Sequence, residues 1–529
     1  MRILKLVAVL ASVGVIATSL VGCGNSNSQN STASMTDSAS TGGLTSEKVF
    51  NYGTTAYGVA MGNAGLDPHI SYMGWSSVRY GVGETLFKFN EAMELEPWLA
   101  TSYEQVDDTT IIIYLRDDVT FHNGNKMTGQ AVKKCFERLL EKHDRAPMDL
   151  DVNSIDADGQ TVTFTTNKPN PAFVNAICDP YGAIIDVDAG ITEDDNVVGT
   201  GPYIAEKVSP TEINLKSYDN YWSGKAKVDK VNVKSITDGD TLTMALQSGE
   251  IDATQGLPYA SLSLFQNHTD YTISSADTSR LYMMAYNYKT EVLQDVNVRK
   301  AIASAIDKEG FTKTLLNGNG TPAVGAFPSN FTFGNEKVTA PAYDLEAAKQ
   351  LLTEAGYTDT NGDGYVDKNG QNLTIRWLTY TSRQELPKLA ESAQATLKQI
   401  GIDVKVNATD NYKDSLKKGD FDIYASAFVA APTGDSQYFF MTHLDDNSVG
   451  NTGSYHSERI QELMNQLRIE FDTDKRSDLA IQIQQQVLDD NAYTFASHLK
   501  MSFVTKKGVT GFTAHPSDYY EITNKLDIN

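Results

Sequence analysis

The stretch LTIRWLTYTSRQELPKLAESAQATLKQIGIDVKV, residues 373–406, decides the fold. LTIRWLTY (373–380) reads as a strand. From Leu386 onward the apolar residues Leu389, Ala390, Ala393, Leu397 and Ile400 recur on one helical face, and Gly401 stops the helix. IDVKV (402–406) alternates as a half-buried strand does. Upstream, YDLEAAKQLLTEAG (343–356) is a helix with Leu345, Ala348, Leu352 and Ala355 on one face, Asp344 as N-cap and Gly356 as its stop. Downstream, a short helix over about 409–418 precedes the strand FDIYASAFV (421–429). This is β-α-β-α-β, an α/β pattern whose crossovers force the strands parallel. A ligand of such a sheet belongs beyond the strand C-termini, here 381–383, 407–409 and 430–435.

The first half has another character. TTIIIYL (109–115) and QTVTFTT (160–166) are β-branched strands with a helix, TGQAVKKCFERLLEKH (128–143), between them, which is an α+β arrangement. At 529 residues the chain is too long for one core. Its formal net charge is -23, and without Arg2 and Lys5 it carries 42 basic against 67 acidic residues, or -25. That balance argues against nucleic acid and against an anionic lipid surface as partner.

Arg2 and Lys5 precede the charge-free apolar run 6–20, the pattern of a secretory signal. The run ends in Leu20-Val21-Gly22-Cys23, which resembles a bacterial lipobox, so that residues 1–22 are a lipoprotein signal and Cys23 is the acylated residue. Ordinary cleavage beside an incidental cysteine is the alternative. The Ser/Asn/Thr-rich residues 23–44 form a disordered tether. Cys135 and Cys178 either pair in an oxidising compartment or remain two buried thiols.

Several collinear segments together resemble one family, the extracytoplasmic solute-binding proteins (family 5, peptide/nickel type) of ABC importers. They are LDPHIS (66–71), LEPWLATSYEQVDDTTIIIYLRDDVTFHNG (95–124), VGTGPY (198–203), YDNYWSGKAKVDKV (218–231), ALQSGEIDA (245–253), VRKAIASAIDKEGF (298–311), AKQLLTEAGY (348–357) and QATLKQIGIDVKV (394–406). The resemblance implies a two-lobed periplasmic-binding-protein-like clamshell. Lobe one would hold 45–277 and 503–529, with an extra α+β subdomain near 86–195, and lobe two 278–502. Chain crossings near 278–287 and 497–506 would form the hinge. It also implies a monomeric receptor, outside the cytoplasm, that hands an oligopeptide or nickel chelate to permease subunits.

The two ligand chemistries of that family place different demands on the cleft. Its peptide receptors hold the α-amino group with an aspartate at the end of the strand matching FDIYASAFV, where this chain has Pro432; Asp435 or Asp410 would have to substitute. The nickel-chelate contacts of the family would fall on Val429, Thr433 and DPYGAI (179–184). By position and chemistry the candidate ligand residues are Tyr72, Met73, Trp75, Arg145, Arg280, Arg383, Thr433, Asp435, Tyr519 and Tyr520. The arginines suit a ligand carboxylate. His443 and His456 are the histidines nearest the lobe-two cleft.

DTNGDGYVDKNG (359–370) has calcium-loop spacing at Asp359, Asn361, Asp363 and Asp367, but Gly370 stands where a bidentate Glu is expected, so a polar turn is the competing reading. No other cofactor is expected. The rival functional class, an anchored hydrolase, finds no G-x-S-x-G or H-E-x-x-H. A peptide-signal sensor or chaperone on the same scaffold remains the alternative to a transport receptor.

Overall fold

A computed structural model of the protein describes residues 47–381 and 383–529. The expected signal, Cys23 and the tether lie outside the described residues. No helix among the described residues is long and apolar enough to cross a membrane.

The parallel unit forms as its sequence dictates. Thr374–Thr379 pairs in parallel with Asp403–Ala408 on one side and Ile423–Val429 on the other. Helices Leu345–Glu354, Glu385–Gln399 and Tyr412–Lys418 accompany them. Asp344 caps the first, accepting from the backbone N–H groups of Glu346 and Ala347. Gly401, at φ +81°, ends the second in the left-handed conformation that glycine adopts without strain. Leu386, Leu389, Ala393 and Leu397 face inward onto Ile375, Trp377, Val404 and Ile423. Each large aliphatic side chain buried there contributes about 1.5–3 kcal/mol.

These three strands are one end of a single eleven-stranded sheet. From Ile423–Val429 the sheet continues through Tyr271–Tyr286, Tyr493–Lys506, Ala253–Gln255, Val49–Thr54, Lys230–Ser235 and Glu212–Ser217 to Tyr203–Ser209. The two long antiparallel strands, Tyr271–Tyr286 and Tyr493–Lys506, therefore belong to both halves of the molecule. Their pairing runs from Tyr271 opposite Lys506 to Ala285 opposite Tyr493, and it slips between Asp277 and Leu281. The slip lies at the crossings where the hinge was expected.

A separate antiparallel sheet, in the order Ala100–Gln105, Thr110–Leu115, Thr161–Thr166, Val152–Asp158, falls within 86–195. Helix Gly129–Lys142 buries Val132, Cys135, Phe136 and Leu139, with Phe136 edge-on to Phe164 of the sheet. Cys135 and Cys178 are both buried and unpaired, so the disulfide alternative is corrected. Cys135 Sγ accepts from the Ile185 N–H and lies 3.6 Å from the Ala183 carbonyl, while Cys178 Sγ donates to the Val174 carbonyl.

The glycines of VGTGPY serve close backbone contact. A Cβ on Gly199 would sit 2.0 Å from the Val82 carbonyl oxygen, and one on Gly201 2.3 Å from that of Gly81. Beside them Glu84 is fully buried, accepting from Tyr221 Oη at 2.7 Å and Trp222 Nε1 at 3.1 Å. Burial pushes its carboxyl up to about 7, against the pull of those hydrogen bonds.

Two predictions follow from buried charge. Because the folded pKa of Glu84 is raised, its contribution is complete at low pH and is lost as pH rises through 7. Thermal melts of wild type should fall between pH 5 and pH 8 by the equivalent of roughly 3 kcal/mol more than those of Glu84→Gln. A second buried charge is Arg299, which donates to the carbonyls of Leu293, Gln294, Asp490 and Asn491 with its guanidinium 4.5 Å from the Tyr288 ring centroid. It thereby ties helix Val296–Ser304 to the C-terminal end of helix Thr473–Asp489. Arg299→Met strands those carbonyls and should lower the stability read from urea unfolding by about 3 kcal/mol or more.

Candidate functional site

The two halves meet where the parallel strands end. Beyond Ile423–Val429, residues 430–434 reach the opposite lobe through their backbone. The Pro432 carbonyl accepts from Tyr519 Oη at 2.9 Å, and the Thr433 carbonyl from Asn175 Nδ2 at 2.8 Å. Thr433 therefore presents main chain to lobe one, and Tyr519 is almost completely buried.

Trp75 is the centre of an aromatic and charged group beside this lip. It lies in helix Met73–Arg79, with Tyr72 exposed at the helix start and Met73 half-buried. Its ring is approached by the guanidinium groups of Arg79 and Arg280, at 5.3 and 5.9 Å, and edge-on by Tyr519 at 5.3 Å and Tyr72 at 6.4 Å. Its Nε1 is buried and unpartnered among the described residues. Asp518 pairs with both Arg79 and Arg280, each at 2.8 Å. Arg79 also pairs with Glu521 at 3.1 Å, and Glu521 accepts from Tyr52 Oη at 2.7 Å. Burial pushes the Glu521 carboxyl up to about 8, with Arg79 opposing that rise.

A second group surrounds Arg145. Its guanidinium pairs with Asp179 at 3.1 Å, stands 3.9 Å from Asp149 and lies 5.4 Å from the Tyr181 ring centroid. Asp179 above all, opposed by desolvation and helped by Asp149, raises the Arg145 pKa. Tyr438, from helix Gln437–His443 of lobe two, feels the charges of Arg145, Asp179 and Asp149, and burial pushes its phenol up to about 12. Its other neighbour is Phe428, stacked at 5.5 Å.

The remaining sequence candidates are distributed differently. Arg383 is exposed in the turn before helix Glu385–Gln399. Asp435 accepts from Arg476 Nη2 at 2.7 Å and from the Gln437 N–H at 2.8 Å, so its carboxylate is held within lobe two. Asp410 accepts from Thr381 Oγ1. Tyr520 accepts from the Phe89 N–H at 3.0 Å and packs on Trp98.

The calcium-loop residues do not converge. Asp359 accepts from the N–H groups of Gly362 and Gly364, Asp363 from Tyr365 and Asn372, and Asp367 turns onto Thr360. The loop is a set of side-chain-capped turns. Among the described residues no group of three or more His, Cys, Asp or Glu is placed to hold a metal ion. His443 is buried, its pKa lowered by burial to about 4, and His456 is exposed against Asp446.

Sequence reasoning missed Tyr438, Asp149 and Asp518, and it named Asp179 and Tyr181 only as part of the DPYGAI segment. Asp149 alone carried a local signal, standing four residues after Arg145.

The nickel-binding protein NikA of Staphylococcus aureus is 29% identical over 454 residues, covering 85% of this chain and 90% of the relative. Its crystal structure in complex with Ni(L-His)2 superposes with a TM-score of 0.73 at 27% identity, covering 91% of this chain and all of that one. The crystal structure of a nickel ABC transporter protein from Bacillus halodurans gives 0.79 at 30% identity, with the same coverage. The oligopeptide-binding protein AppA of Bacillus subtilis is 25% identical over 463 residues, covering 83% and 84% of the two chains. The family model for bacterial extracellular solute-binding proteins, family 5, matches residues 94–451, and the chain belongs to that family.

Proposed function

We propose that this protein is the solute-capturing receptor of an ABC importer, held at the outer face of the cell membrane by an acylated Cys23, and that its solute is a small metal chelate of the nickel–amino-acid kind. The observation that carries the choice of solute is the lip at 430–434. It meets lobe one through the carbonyls of Pro432 and Thr433 and presents no carboxylate, and the nearest one, Asp435, is occupied by Arg476. A peptide α-ammonium thus lacks its partner on that strand end. Aromatic side chains near the lip, Trp75, Tyr438 and Phe428, with Tyr181 beneath Arg145, would suit a flat, compact chelate. The likeness to nickel-binding relatives points the same way. The separated histidines, two of them buried and neutral or exposed and paired, speak for a prechelated metal over a bare ion.

In this reading the protein acts as a monomer, binds without a catalytic step and passes its solute to permease subunits. An oligopeptide is the second solute reading, favoured by the likeness to AppA. A sensor or chaperone would use the same cleft without the permease.

Native mass spectrometry of residues 24–529, purified gently from the producing cell, tests the solute. A single bound mass with a nickel isotope pattern is expected, and a ladder of peptide masses would replace the chelate reading with the peptide one. For the anchor, Cys23→Ser should move the protein from the membrane fraction to the soluble extracytoplasmic fraction. Retention in the membrane would refute acylation as the mooring.

A further inference from the structure

Resting on the receptor reading above, we infer that Asp149 is the lobe-one acceptor for the positively charged, N–H-bearing face of the solute. The reason is an imbalance of partners around Arg145. Asp179 is satisfied: one oxygen accepts from Arg145 Nη2 at 3.1 Å and the other from the Tyr181 N–H at 3.2 Å. Asp149 is not. Its Oδ2 has only Arg145 at 3.9 Å and Tyr181 Oη at 3.5 Å, and its Oδ1 accepts no hydrogen bond among the described residues; the side chain is 25% exposed, so that oxygen is open to solvent and to a solute.

Two carboxylates thus share one guanidinium. The groups around them add no further cation. His143 is held neutral-leaning by burial and by Arg145, its Nδ1 accepting from the N–H groups of Arg145 and Ala146 and its Nε2 facing the Ser71 carbonyl. Tyr72 and Tyr181 of lobe one, Tyr519 of the C-terminal segment and Tyr438 of lobe two complete the surroundings with phenols. A net negative charge with a solvent-accessible acceptor therefore stands within electrostatic reach of Tyr438 of lobe two, and the 430–434 lip offers no carboxylate of its own.

The positive N–H face has two chemical sources. One is the coordinated amine of a cationic one-to-one metal–amino-acid complex, and the other is the ammonium end of a short peptide. Either would stabilise ionised Asp149. Burial, opposed by Arg145 and reinforced by Asp179, raises the Asp149 carboxyl to about 6 in the solute-free protein. A positive solute reverses that rise, so binding near pH 6 expels a proton.

The test is calorimetry on residues 24–529 with two probes, nickel(II) mixed with L-histidine and trialanine, in buffers of different ionisation enthalpy. Asp149→Asn should weaken whichever probe binds wild type by at least about tenfold at pH 7.5, narrowing to less than about threefold at pH 5, where Asp149 is already protonated. Near pH 6 wild type should release a fraction of a proton that the variant does not. Variant and wild type are compared at each pH, because histidine itself loses nickel as it protonates. Asp149→Ser is the second variant, and Asp156→Asn, 85% exposed, should match wild type. Equal affinity and equal proton release in wild type and both Asp149 variants would overturn the inference while leaving the receptor reading intact. Binding of neither probe by wild type would overturn the receptor reading for both solute classes, and the role of Asp149 with it.

Discussion

The pairing of Tyr271–Tyr286 with Tyr493–Lys506 is the constraint on which the rest of the molecule depends. Both lobes hang on this one ladder, so neither moves unless the ladder bends. The register slip supplies the place. Between Asp277 and Leu281 the ladder is interrupted, and Thr278 fills in with its side chain, Oγ1 donating to the Leu499 carbonyl at 2.8 Å while accepting from the Arg280 N–H at 3.2 Å. Side-chain bonds tolerate rotation that backbone ladders do not, and bulged strands bend and twist locally. On its other side the same segment stays in register, with Arg280 opposite Val429 and the Ser279 carbonyl accepting from the Ala430 N–H at 2.8 Å, so the interruption is confined to the pairing with Tyr493–Lys506.

At residues 430–434 the hydrogen bonds that reach the other lobe, among the described residues, are neutral. Two hydrogen bonds to carbonyls, from Tyr519 and Asn175, contribute on the order of 1–3 kcal/mol together. Such a difference lies within the range a solute shifts by binding one arrangement better than the other. By contrast, the charges near the register slip are internally matched, with Asp518 shared by Arg79 and Arg280. Arg79 is almost fully buried, and the C-terminal segment bearing Asp518 and Glu521 is fixed to helix Met73–Arg79 by that pairing. The rim of the cleft is thus rigid where it is charged and easily parted where it is neutral.

Legibility in the sequence follows the range of the physics. Helices Leu345–Glu354 and Glu385–Gln399 and their neighbouring strands were readable because apolar periodicity, the Asp344 cap of the first and the glycine stops are local signals. Continuity of the sheet through both halves was not, since the partners of Tyr271–Tyr286 lie far along the chain. The cleft suffered most. DPYGAI lacks a basic residue and the Arg145 segment lacks an aromatic one, yet folding places Tyr181 beneath Arg145 and brings Tyr438 to both. Asp435 looked free because its partner, Arg476, is 41 residues away. Composition of one segment cannot report a site assembled from three.

Assembly from separate segments also reverses the meaning of the arginines. In sequence, Arg145 and Arg280 suggested a fork for a solute carboxylate. In the folded chain each already holds an aspartate, Asp179 and Asp518, at hydrogen-bonding distance. Their charge is thus already balanced, and a solute carboxylate that reached the remaining N–H donors would stand beside Asp179 or Asp518, so it gains less there than at an unpaired arginine. N–H groups of a solute displace nothing when they meet Asp149 Oδ1. The Trp75 Nε1 is a donor without an acceptor among the described residues. Being buried, it would have to be uncovered before a solute oxygen could reach it, so the solute's N–H face is read from Asp149 alone.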